Sequence, residues 1–63
     1  MESVERVAYV WCINKRDILC TTYVDGRIDE SLRLRRKDLR DFPNLLRGLY
    51  EHKFDVHFSK PSV

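Results

Sequence analysis

Three observations predict an α+β fold for this 63-residue chain. Three segments rich in β-branched and aromatic residues follow one another between residues 4 and 35, short polar turns separate them, and beyond Lys37 the apolar period changes from two to about 3.6. The resulting order is β-β-β-α-β: a three-stranded antiparallel meander, one helix and a short C-terminal fourth strand.

Residues 4–13 contain neither Gly nor Pro and carry apolar side chains on both faces, which predicts a central strand. The polar stretch Asn14-Lys15-Arg16-Asp17 reads as a four-residue hairpin loop, and residues 18–24 as the second strand. Asp25-Gly26 is the preferred chemistry for a two-residue turn, because both positions need positive φ. The third strand, 27–35, alternates Ile28, Leu32 and Leu34 with Arg27, Asp29, Ser31, Arg33 and Arg35, and Glu30 is a misfit on its apolar side. Leu39, Phe42, Leu46 and Leu49, with Leu45 and Tyr50 beside them, recur at helical spacing. Pro43 suits a first turn, so Asp41 is the expected N-cap of a helix from about 42 to 52, after a turn at 38–41. Gly48 inside that helix costs about 1 kcal/mol against Ala, and a close approach of helix to sheet is the expected reason for it. Residues 54–58 alternate again as a fourth strand, and 60–63 should fray. One domain spans 1–63, with order expected over about 4–59.

Turn lengths set the faces. A four-residue loop pairs Ile13 with Ile18, and the Asp25-Gly26 turn pairs Val24 with Arg27. One face then gathers Ala8, Val10, Cys12, Leu19, Tyr23, Ile28, Leu32 and Leu34. The other gathers Val7, Tyr9, Trp11, Ile13, Ile18, Val24, Arg27, Arg33 and Arg35. One helix covers only the first, so the second is expected to be an aromatic and basic surface that needs a partner.

Composition narrows the function. A chain this short has one small core, with a margin on the order of 3 to 5 kcal/mol. The net charge of +2 is too small for a nucleic-acid coat protein, yet residues 33–40 hold Arg33, Arg35, Arg36, Lys37 and Arg40 against Asp38 alone. The first residues lack a basic and apolar leader, and no apolar run reaches 18 residues, so a cytoplasmic protein is expected, of the kind compact bacterial or phage genomes encode. Cys12 and Cys20 make no disulfide framework; with His52 and His57 they lack the close pairing of a structural zinc site, and the assumed register puts the two thiols on opposite faces. Asp29 and Glu30, adjacent on a strand, are expected to point apart. Two glycines leave no phosphate loop or dinucleotide fingerprint. The expectation is a protein that is not an enzyme and uses no metal, cofactor or small-molecule substrate.

The candidate binding residues are Tyr9, Trp11, Arg27, Arg33, Arg35 and Arg36. Trp, Tyr and Arg dominate protein-interface hot spots, and aliphatics between them build a dry centre. The favoured reading is a small regulator or inhibitor that docks on a protein partner, including a nucleic-acid-processing or transcription complex, or self-associates as a homodimer. The alternative is nucleic-acid binding by the same face, with Tyr and Trp stacking on bases and Arg contacting phosphate or guanine. In element order alone, a three-stranded sheet backed by one helix resembles the plant ethylene-response DNA-binding domain and the arm-binding domains of some phage integrases, which present strand side chains to the major groove. No motif of either is matched.

Overall fold

A computed structural model describes residues 4–61; the N-terminal residues 1–3 and the last two positions of the expected frayed tail lie outside them. Four strands form one mixed sheet: β1 Arg6–Cys12, β2 Asp17–Val24, β3 Arg27–Arg35 and β4 Asp55–His57, in spatial order β3-β2-β1-β4. The meander is antiparallel and β4 runs parallel to β1. Between β3 and β4 the chain passes through a 3-10 segment, Arg36–Asp41, and helix α1, Phe42–Glu51. This crossover carries the chain from one sheet edge to the other and covers one face on the way.

Local chemistry accounts for the junctions. Asp25 (φ 51°) and Gly26 (φ 80°) both adopt the left-handed conformation expected of their turn. Pro43 stands in the first turn of α1, where its missing N–H costs nothing, and Asp41 occupies the N-cap position without a side-chain cap bond. The C-terminus closes in a Schellman motif. Lys53 takes the left-handed position (φ 65°) and donates from its backbone N–H to Tyr50 O (3.1 Å), while Phe54 N–H reaches Leu49 O (2.9 Å). A lysine where glycine is usual hides this stop signal in the sequence.

Two register shifts separate the structure from the expected pairing. At the first hairpin Asp17 belongs to β2, and Ile13 N–H closes on Asp17 O across a loop of three residues rather than four. The Asn14 carboxamide oxygen accepts from Arg16 N–H (2.7 Å) and Asp17 N–H (2.8 Å), which tightens the bend by one residue. Cys12 therefore faces Ile18, Val10 faces Cys20, and β2 exchanges its faces. The second hairpin begins as expected, with Val24 opposite Arg27 and Tyr23 opposite Ile28. A bulge then moves Thr22 opposite Glu30, leaving Asp29 as the extra residue. Beyond the bulge Cys20 pairs with Leu32 and Ile18 with Leu34. The second shift undoes the first for the far half of β3, so Leu32 and Leu34 lie on the helix side.

The core beneath α1 is small: Ala8, Val10, Ile18, Cys20 and Leu49 are buried, with Leu34, Phe42, Leu45, Leu46, Phe54 and Val56 partly buried around them. Cys12 and Cys20 share this face, not opposite ones. Of the four leucines and phenylalanine at helical spacing, Leu49 is the buried one, Phe42, Leu45 and Leu46 are partly buried and Leu39 is exposed. Gly48 makes no close approach, since a Cβ there would meet nothing within 4 Å. The radius of gyration, 12.0 Å, exceeds the value of about 10.6 Å typical for 63 residues. The excess fits one sheet with one covered face rather than a closed two-sided core.

Candidate docking surface

The uncovered face is built in rows across the strands. His57, Tyr9, Thr21 and Ser31 form the central row, Asp55, Val7, Tyr23 and Ile28 the row on one side, and Trp11, Leu19 and Arg33 the row on the other; Asp17 and Arg35 follow beyond Trp11's row. The Tyr9 ring is held between neighbours. Its centroid is 5.5 Å from His57 in a stacked arrangement and 5.7 Å from Tyr23 edge-on. His57 is in turn fixed by the Asp55 carboxylate at 3.0 Å, from two residues earlier on the same face of β4. Thr21 and Ser31 hydroxyls join at 3.2 Å, so these two polar groups of the central row satisfy one another. The surface is thus pre-ordered before any partner arrives.

The register shifts redistribute the candidate residues. Tyr9, Trp11, Arg33 and Arg35 lie together on the uncovered face. Arg27 does not: it pairs with Val24, which belongs with Arg6 and Thr22 on the helix side. Ile18 is buried in the core and Ile13 stands in the hairpin. In their place the face gains Leu19, Tyr23 and Ile28, the last 66 % exposed. Arg36 leaves the sheet and begins the 3-10 segment, where its N–H donates to Arg16 O at 2.8 Å. The face thus exchanges Ile13, Ile18 and Val24 for Leu19, Tyr23 and Ile28 and loses one arginine, so its apolar count is the one the sequence implied and its basic margin is smaller.

On the helix side a groove of about 580 Å³ opens between α1 and strands β1, β2 and β3, with Arg6, Asp29, Glu30 and His52 at its rim. The bulge brings Asp29 and Glu30 to this one groove, against the expected alternation. The Arg6 guanidinium is used as a clasp, donating to His52 O at 3.1 Å. Cys20 is buried, and desolvation, with a smaller contribution from the Glu30 carboxylate, pushes its thiol pKa up from the ordinary value. A thiol so placed is protonated and shielded at neutral pH, unlike an activated nucleophile. Among the described residues no group of three or more His, Cys, Asp and Glu side chains is placed to hold a metal ion.

No described helix is long and apolar enough to cross a membrane. The chain matches no protein-family model, no curated protein and no solved structure.

Proposed function

We propose that this chain is a small non-catalytic binding protein that docks on a protein partner, or on a second copy of itself, through the uncovered sheet face. The observation that carries the reading is the composition of that face: Val7, Tyr9, Trp11, Leu19, Tyr23 and Ile28 form a contiguous apolar and aromatic surface, with Arg33 and Arg35 at one margin. Ile28 is exposed and the other five are half-buried with no element packed over them, and an uncovered apolar face is the usual mark of an interaction surface. Aromatic anchors at the centre with arginine at the rim is the composition of interface hot spots. The small core supports the same reading, because five buried apolar residues leave a thin margin that covering the second face would widen. A regulator or inhibitor of a larger complex is the role such a surface suits.

Nucleic-acid binding by this face remains the second reading, favoured by Arg33 standing in the row of Trp11. It is the weaker one for the central rows. Tyr9 already stacks on His57 and meets Tyr23, so its ring is not a free platform for a base.

The test is size exclusion with light scattering, together with affinity capture from the cells in which the chain occurs, comparing wild type, Trp11→Ala and Tyr50→Ala. Tyr50 is 56 % exposed and lies on the helix, outside the proposed face. Self-association or a captured partner should be lost in Trp11→Ala and kept in Tyr50→Ala. Equal behaviour of the two variants would refute docking through the sheet.

A further inference from the structure

We propose that the cleft at the first hairpin's end of the sheet binds the phosphodiester backbone of a nucleic acid. This site adjoins the protein-docking face and shares Arg35 with its margin, but it is carried by the cleft's own cations and not by that reading. The cleft, about 520 Å³, is lined by Lys15, Arg16, Asp17, Arg35, Arg36 and Lys37: five cations and one acid. The cations come from two segments some twenty residues apart in the chain. Backbone geometry holds them together, through the Arg36 N–H to Arg16 O bond at 2.8 Å and the pairing of Asp17 with Arg35. Asn14 fixes the same bend from inside by accepting from Arg16 and Asp17 N–H groups.

None of the five cations has a carboxylate within 4.0 Å among the described residues, and the one acid in the cleft, Asp17, accepts from the Asn14 amide at 3.0 Å. Five like charges held close by the backbone against a single carboxylate raise the free energy of the unliganded site, and an anion relieves that repulsion. Guanidinium forks match phosphate oxygens two at a time. The cleft is larger than one phosphate requires, and its cationic line continues from Arg35 to Arg33, beside Leu19 and Trp11 in the next row of the same face. A chain of phosphates with a base reaching towards an indole fits that succession better than a lone anion or a lipid headgroup, for which the hairpin offers only Ile13 to insert.

The test is fluorescence anisotropy with labelled 20-nucleotide single-stranded DNA, the matching RNA and the duplex, from 50 to 200 mM salt. Five contacts to a single strand at about 0.7 released counterions each give a log-log salt slope of about −3.5, roughly a hundredfold loss of affinity over that range. Neutralising two of them in K15A/K37A should bring the slope to about −2. The reversal K15E/K37E should abolish binding, whereas the charge-matched R47E/K60E, altered at exposed sites outside the cleft, should retain more than K15E/K37E does. Circular dichroism confirms that each variant folds, and if K15E/K37E does not, the slope change in K15A/K37A decides. Absence of binding at 50 mM salt would overturn the proposal. So would equal losses in K15E/K37E and R47E/K60E, or binding to vesicles of anionic lipid at least as tight as to the best oligonucleotide. Preference among the three oligonucleotides identifies the source of the phosphates.

Discussion

Leu49→Ala should remove most of this protein's stability. Leu49 is 7 % exposed and is the buried side chain that α1 places against Ala8, Val10, Ile18 and Cys20. Truncating a buried leucine costs about 2 to 5 kcal/mol, less where the surroundings can relax into the space. Here the groove along α1 reaches Leu49, so water and neighbouring side chains can fill part of the void, which points to the lower half of that range, about 2 to 3 kcal/mol. Set against a total on the order of 3 to 5 kcal/mol, this leaves about 1 to 2 and lowers the melting temperature by roughly 10 to 20 °C. Leu46→Ala, at a partly buried position, should cost about 1 kcal/mol. Urea melts followed by far-UV circular dichroism measure both. A loss under 1 kcal/mol for Leu49→Ala, or a larger loss for Leu46→Ala, would show that α1 presents a different face to the sheet.

Two substitutions should raise stability. Gly48→Ala adds a methyl group to open space in mid-helix and should gain about 1 kcal/mol, and Lys53→Gly should gain a similar amount by relieving a left-handed non-glycine residue. A loss on thermal melting in either would refute the corresponding geometry. Replacing Arg33 and Arg35 with Ala should weaken docking by the sheet face while leaving the urea midpoint unchanged, since neither makes an ion pair among the described residues; a shifted midpoint would assign them a structural role. Thiol labelling under native conditions should modify exposed Cys12 quickly and Cys20 only at the rate of unfolding, and equal rates would contradict the buried position of Cys20. Because the fold raises the Cys20 pKa, the unfolded chain loses that proton first, so this contribution is complete below the ordinary thiol pKa of about 8.5 and declines as pH rises above it. The stability difference between wild type and Cys20→Ala should therefore shrink from pH 8 to 10, and a constant difference would refute the linkage.

Element order was legible because period and turn chemistry are local signals. Asp25-Gly26 adopted the geometry its residue types require, and Pro43 marked the helix start. Register was harder, because it depends on whether one residue belongs to a loop or a strand. Asn14 settled that by bonding to two backbone N–H groups, which residue type alone does not reveal. The bulge at Asp29 had a visible trace in Glu30, the one charged residue on an otherwise apolar alternation. A mismatch of that kind signals an inserted residue as readily as a tolerated charge. Trp11 and Tyr9 kept their expected side since β1 sets the reference frame for both hairpins, whereas Arg27 was lost from the face because it lies on the near side of the bulge. The basic cleft was half legible: the 33–40 run was apparent, but its meeting with Lys15 and Arg16 is a property of the fold.

Trp11 is the sole tryptophan, so its fluorescence reports directly on the uncovered face. Acrylamide quenching should find the indole accessible in the dilute monomer and shielded, with a blue-shifted emission, once light scattering or an added partner shows a complex. An indole as protected in the monomer as in the complex would contradict the claim that this side of the sheet lies open.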